Sequence, residues 1–246
     1  MKAILLLAGY ATRMYPLTEN MPKALLPLKG KCVIDYMIEE INTIPEIDTI
    51  YAVTNSRFYQ HFADWAKTAP TTIPIEVLDD GTTTNDNRRG AIGDIVFTIS
   101  EKNIQDDLFV AAGDNYFTFK LQEQYQVFKD TGCTTLAGKE IDDIDQLRAF
   151  AVATTDATGK VLSLVEKPED PPSNLAIYAT YFYPKNVVPM FNQYIAEGNN
   201  PDAPGQFPGW LHTRQDVYSY TMNGDCYDIG TIEMYDQMNG EDIHGH

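Results

Sequence analysis

The sequence predicts an α/β fold, a doubly wound sheet with helices on both faces. Three observations carry this. Strand-like and helix-like apolar runs alternate through the first 130 residues, the rhythm of a sheet covered by helices. The opening run, Ala3 to Ala8, is six apolar residues long and is then broken by Gly9 and Arg13, as a buried first strand would be. Four of five unusual, chemistry-bearing segments fall where predicted strands end, which is where open α/β sheets bind ligands, and the fifth precedes the last predicted helix.

In chain order, Ala3 to Ala8 reads as a strand, Val33 to Ile44 as a helix, Ile50 to Thr54 as a strand, Arg57 to Lys67 as a helix and Ile75 to Leu78 as a strand. A helix follows from about Gly90 to Ser100, then a strand from Leu108 to Ala112 and an amphipathic helix from Leu121 to Asp130. After Thr134 shorter β-type runs take over: Thr135 to Lys139, Ala149 to Thr154, Val161 to Glu166 and Ala176 to Tyr183. Two helices are predicted near Asn186 to Glu197 and Thr231 to Asn239, separated by a polar loop, Gly198 to Gly209, rich in Gly, Pro and Asn. At the end of that loop, packing by Trp210 is expected to anchor it.

The chain has 246 residues, 18 Lys and Arg against 35 Asp and Glu, and a net charge of −17. That balance excludes a surface that tracks nucleic-acid phosphates or docks on anionic lipid, so an anionic ligand must be met by local bases or a metal. Cys32, Cys133 and Cys226 are odd in number and widely spaced. They predict free thiols in a reducing, cytoplasmic setting. No apolar run approaches the length of a membrane span, and Lys2 with the run after it reads as a first strand in preference to a signal peptide.

Gly9 to Lys23 is a long exit from the first strand, with Arg13 and Lys23 as fixed bases in an otherwise acidic chain. A tight turn of small residues lets backbone N–H groups approach phosphate oxygens. Gly113-Asp114-Asn115 and Glu166-Lys167-Pro168 end later runs, and Asp228-Ile229-Gly230-Thr231 precedes the last predicted helix. A carboxylate such as Asp114 at the end of an apolar strand must face solvent or a cation, and Mg²⁺ prefers a few carboxylates plus phosphate oxygens and water. For Asp228, a helix cap is the competing role. His61, His212, His244 and His246 lack metal-ligand spacing.

The stretch Gly9 to Lys23 resembles the opening motif of the sugar-1-phosphate nucleotidyltransferases, the enzymes that make nucleotide sugars. That motif reads G-x-G-[ST]-R-x-x-P-x-T-x-x-x-P-K, and the chain carries every fixed residue except the second glycine, where Ala11 stands. The three later segments recur in the family's order, so the resemblance covers residues 1 to 240 and is to the short, glucose-1-phosphate thymidylyltransferase-like form. It implies a Rossmann-like mixed sheet in one domain, with a nucleotide-binding half (1–130), a sugar-phosphate half (131–240) and a tail (241–246). With 15 residues after Thr231, the expectation is a minimal form without the extra domains of longer relatives.

The resemblance also implies roles. Arg13 and Lys23 would be catalytic, gripping the triphosphate and the reacting phosphates. Leu7, Gly9, Tyr10, Asn85 and Gly90 would hold the nucleotide, and Ala151, Glu166, Lys167, Ile177 and Tyr178 the sugar phosphate. Asp114 and Asp228 would bind Mg²⁺. Family members that use thymidine or uridine nucleotides carry a Gln before the glycine of the third helix. Here Asn85 is the nearest amide, able to pair with a pyrimidine's carbonyl and imide N–H. Arg88 and Arg89 are either phosphate contacts or exposed bases, and Asp94 is expected on the charged face of its helix. Ala151 stands where the family usually has glycine beside the sugar.

The expected reaction joins a nucleoside triphosphate, dTTP or UTP, to glucose-1-phosphate. Two alternatives share the fold: a CTP-dependent enzyme acting on phosphocholine or another phosphorylated alcohol, and a non-catalytic nucleotide-sensing subunit. The expected partners are small molecules only, and a homo-oligomer stays open.

Overall fold

A computed structural model describes residues 1–240; the tail 241–246, with His244 and His246, lies outside the described residues. The first half comprises β1 (Lys2–Leu6), β2 (Pro27–Leu28), β3 (Lys31–Cys32), α1 (Val33–Ile41), β4 (Thr49–Thr54), α2 (Tyr59–Trp65), β5 (Ile75–Asp79), α3 (Ala91–Lys102), β6 (Leu108–Ala112), β7 (Asn115–Phe117) and α4 (Leu121–Thr131). The second half comprises β8 (Thr134–Glu140), α5 (Ile144–Leu147), β9 (Ala151–Thr155), β10 (Val161–Glu166), β11 (Leu175–Tyr183), α6 (Val188–Ala196), α7 (Gln206–Leu211), β12 (Val217–Thr221), β13 (Cys226–Asp228) and α8 (Ile232–Gly240).

The main sheet runs β10-β9-β11-β6-β1-β4-β5, with β8 paired to β11 and β12 paired to β8. β1 lies parallel to both β4 and β6, and β4 parallel to β5. The predicted doubly wound α/β architecture is present, as a mixed sheet. Alternation along β1 sets the two faces: Ala3 and Leu5 join one core with Met37, Phe62 and Phe128, whereas Ile4 joins the other with Ile95, Phe191 and Phe207. The Phe109 and Phe182 rings pack tilted, 4.8 Å apart, in the first core, and Phe191 and Phe207 stack at 3.7 Å in the second. Each such ring, fully buried, contributes about 2–3 kcal/mol relative to exposure.

β11 joins the two halves. Its Thr180–Tyr183 end pairs antiparallel with β6, while Leu175–Ile177 pairs with β9. Between Tyr178 and Tyr181 its register against β8 shifts. This irregularity lies beside the carboxyl end of β6 and opens the cleft in which the chemistry-bearing segments meet.

Several expected bounds move. α1 stops at Ile41 and not Ile44, because the chain turns tightly, with the Thr43 and Ile44 N–H groups donating to the Glu40 and Ile41 carbonyls three residues back. The predicted loop 198–209 already contains the start of α7, whose Phe207 is buried. β7, β12 and β13 were not expected. The ribbon β7–β13 matters most, since it aligns Asn115 with Asp228.

Candidate active site

Lys23 is the centre of the cleft. Pro22 holds an extended backbone and Lys23 opens a single helical turn, Lys23–Leu25, anchored by buried Ala24. Its ammonium lies 3.0 Å from Asp114 Oδ2 and 2.7 Å from Asp228 Oδ1. Asp114 arrives from the corner between β6 and β7, and the β7–β13 ribbon brings Asp228 beside it. Cap geometry excludes the competing role for Asp228: the Thr231 hydroxyl accepts the Met234 N–H at the start of α8. Lys23 is 7% exposed, against 38% and 46% for the two carboxylates. Burial alone would lower its pKa, but the two carboxylates more than offset this and raise it, so it stays charged.

Three hollows meet around this cluster. The smallest, about 150 Å³, is formed by Gly9, Ala11, Arg13 and Gly230 together with Lys23, Asp114 and Asp228. Ala11, with φ of 46°, adopts the left-handed conformation that favours glycine, which accounts for glycine being usual there. Its carbonyl accepts bonds from Met14 N–H and the Thr18 hydroxyl (2.9 and 2.8 Å), which fix the turn and leave Arg13 directed at the hollow.

A second hollow, about 290 Å³, brings together Ala151, Glu166, Lys167, Ile177 and Tyr178 with Asp114 and Asp228. This is the whole predicted sugar-phosphate set. Burial pushes the Glu166 carboxyl upward, partly countered by Lys167. Ala151 fits because Gly205 lies across from it: a Cβ at 205 would stand 2.9 Å from the Ala151 methyl and 2.1 Å from Glu166 Oε2. Sequence reasoning missed Gly205, whose glycine in a Gly- and Pro-rich loop carried no distinguishing signal.

The third hollow, about 620 Å³, shares Phe150, Tyr178, Arg13 and Asp228 with the others and adds Lys139, Glu140, Asp225, Tyr227 and Met234. Lys139 and Asp225 form an ion pair on its wall. None of the added residues was expected, although Tyr227 adjoins Asp228 and sits on the same short strand.

The proposed nucleotide residues divide. Gly9 borders the smallest hollow, and Leu7 is buried behind it, packed against Gly113, where a Cβ would stand 2.5 Å from its Cδ2. Tyr10 is turned into the core, 4% exposed, with its ring 6.3 Å from that of Phe58. Only its backbone is left to meet a ligand. Asn85 stands exposed on a single turn, Asn85–Asn87, with its carbonyl bonded by Arg88. Gly90 has φ of 80°, and a Cβ there would lie 2.6 Å from the Pro201 carbonyl. The N–H groups of Ala91 and Ile92 donate to the carbonyls of Asp202 and Pro201, so this helix start meets the 198–205 segment.

Asp94 is not on a charged face. It is 4% exposed and faces Asp80, itself 1% exposed; burial first, then the Asp80 charge, pushes its carboxyl up to about 8. The Asp80 carboxylate is held by the Thr82 N–H and hydroxyl. Arg89 donates to the Asp80 carbonyl and lies over Phe97, and Arg88 grips Asp202. Trp210 packs on Phe207 and Tyr194 and donates to Glu197, as expected of an anchor.

No three His, Cys, Asp or Glu among the described residues form a metal cage. Asp114 and Asp228 nevertheless suit Mg²⁺: two partly exposed hard-oxygen ligands on one ammonium leave the remaining positions for phosphate and water.

A family model described as nucleotidyl transferase matches residues 2–244. The chain belongs to this family. It is 30% identical over 243 residues to a Sulfolobus acidocaldarius protein provisionally named mannose-1-phosphate guanyltransferase, covering 97% of this chain and 62% of that one. The chain thus spans about three-fifths of that relative's length. It is 25% identical over 185 residues to the UTP–glucose-1-phosphate uridylyltransferase AglF of Haloferax volcanii, covering 74% of this chain and 72% of that one. A solved UDP-glucose pyrophosphorylase bound to UDP-glucose superposes with a TM-score of 0.79 at 21% identity, covering 97% of each chain, and shares the fold. Among the described residues no helix is long and apolar enough to cross a membrane.

Proposed function

We propose that this nucleotidyl transferase joins a nucleoside triphosphate to a sugar 1-phosphate, giving a nucleotide sugar and pyrophosphate. The observation that carries the reading is Lys23 clasped between Asp114 and Asp228 at the meeting point of the triphosphate-sized and sugar-sized hollows. An oxygen of the acceptor phosphate attacks the α-phosphorus, the bond from that phosphorus to the bridging oxygen breaks, and pyrophosphate leaves with the electron pair. No covalent intermediate is needed, so catalysis is positioning and charge neutralisation. Arg13 steadies the triphosphate tail from its turn. Lys23 meets the non-bridging oxygens of the reacting phosphates, while Glu166 accepts from acceptor hydroxyls and Lys167 binds acceptor phosphate. Asp114 and Asp228 would hold Mg²⁺, which supplies neutralisation of phosphate charge when bound.

UTP or dTTP with glucose-1-phosphate is the favoured pair, supported by the Haloferax relative's name and by the amide of Asn85. A second reading, CTP with phosphocholine, is favoured by one observation: the largest hollow sets Phe150, Tyr178 and Tyr227 beside Glu140 and Asp225, the aromatic and acidic lining a quaternary ammonium would use. Pyrophosphate release across five nucleoside triphosphates, with glucose-1-phosphate, N-acetylglucosamine-1-phosphate or phosphocholine and with EDTA controls, separates them. EDTA-sensitive release with UTP or dTTP and a hexose phosphate supports the first reading. Release with CTP and phosphocholine alone selects the second, and silence throughout from folded protein points to a different acceptor or to a non-catalytic, sensing subunit.

A further inference from the structure

The segment between α6 and α7 touches both substrate regions. At one end its Pro201 and Asp202 carbonyls accept the first two N–H groups of α3 (2.9 and 3.0 Å), and Gly90 leaves no space between them. Arg88, on the loop that precedes α3, donates from Nε and Nη2 to the two Asp202 carboxylate oxygens at 2.8 and 3.0 Å. At its other end the same segment forms a wall of the sugar-sized hollow, where Asp202 and Gly205 face Lys167 and Glu166. Asp202 is therefore a carboxylate standing between two cations. Arg88 holds it with both oxygens, and the Lys167 charge adds to the pull that keeps it ionised.

We infer that Arg88 and Asp202 are a positioning pair that links the nucleotide loop to the acceptor cavity: by occupying both Asp202 oxygens, Arg88 keeps that carboxylate off Lys167 and leaves the ammonium free for the acceptor's phosphate. The inference rests on the acceptor role given to Lys167 above. A forked guanidinium matches a carboxylate with both of its oxygens, which a lysine could not do. The pair is about half exposed, and exposed pairs add little to stability, so its loss leaves the fold intact and its effect on the site readable.

The test is steady-state kinetics with glucose-1-phosphate as the acceptor probe, on the wild type, Arg88→Ala, Asp202→Asn and the double variant. Freed from Arg88, Asp202 turns to Lys167 and competes with the acceptor, so Arg88→Ala raises the acceptor KM about tenfold with the triphosphate KM little changed. Removing the competing charge in the double variant returns the acceptor KM close to the wild-type value. An Arg88→Ala variant with unchanged acceptor KM, one whose triphosphate KM rises instead, or a double variant without rescue would overturn the inference. Hydrogen exchange at the Ala91 and Ile92 amides gives a readout independent of turnover: the clasp predicts faster exchange in Arg88→Ala, and equal exchange contradicts it. An inactive wild type would instead count against the proposed reaction, with exchange still deciding the clasp.

Discussion

Lys23 and Asp228, 205 residues apart in sequence, are joined by a 2.7 Å hydrogen bond between ammonium and carboxylate. Neither group gains this partner from its own segment. A proline-led turn presents the lysine, and a three-residue strand paired with the strand after Asp114 presents the aspartate. The outcome is a buried cation with two carboxylates at the junction of three hollows.

Removing the cation leaves those carboxylates facing each other and, in the proposed reaction, deprives the reacting phosphates of a donor. Lys23→Ala, Asp114→Asn and Asp228→Asn are each expected to lower turnover by about 10²-fold or more while the circular dichroism spectrum stays native. Because the folded pKa of Lys23 is raised, its contribution to stability is complete below the unfolded lysine pKa and is lost only as pH climbs through the higher folded value. Urea titrations of wild type and Lys23→Ala should therefore keep a constant difference through the neutral range.

Asp94 gives the opposite sign from a salt-bridged acid. The unfolded chain releases this proton near pH 4, the folded chain at about 8. Between those values the native state binds a proton that the unfolded state lacks, so stability falls as pH rises, by at most about 1.4 kcal/mol per pH unit, and levels off above 8. Asp94→Asn, which mimics the protonated acid facing Asp80, should flatten that slope and raise the melting temperature at pH 8. A variant less stable than wild type at pH 8 would count against the buried, protonated carboxyl.

Gly205 leaves room for Glu166. A methyl there would stand 2.1 Å from the carboxylate and 2.9 Å from the Ala151 methyl, and the second contact cannot be relieved by rotating a flexible chain end. Gly205→Ala is thus expected to raise the KM for a sugar phosphate about tenfold or more, with triphosphate binding measured by calorimetry unchanged.

How much was legible in the sequence followed from how local each feature is. Leu108–Ala112 and Val161–Glu166 were expected with the bounds observed, because continuous apolar runs between turn residues carry their own signal. Asn115–Phe117 and Cys226–Asp228 carry none: three residues form a strand only by pairing with a distant partner. The motif residues Arg13, Lys23, Asp114 and Asp228 could be named from the resemblance, yet the ribbon that unites two of them could not. Asp94 was misplaced since a charge in a helical pattern ordinarily marks the solvent face, and here a second buried acid and a proton offset the cost of burial. Asp202 and Gly205 lie in a polar loop whose composition suggests only a connection.

The most direct test of the central claim follows the oxygen atoms. With Mg²⁺, the triphosphate selected by the substrate survey and glucose-1-phosphate bearing ¹⁸O on its phosphate, ³¹P spectroscopy reports where the label goes. The account predicts ¹⁸O in the bridge between the two phosphates of the nucleotide sugar, none in pyrophosphate, and loss of the product signal in Asp228→Asn. Pyrophosphate released at the same rate without acceptor, with unlabelled nucleoside monophosphate as the product, would contradict it.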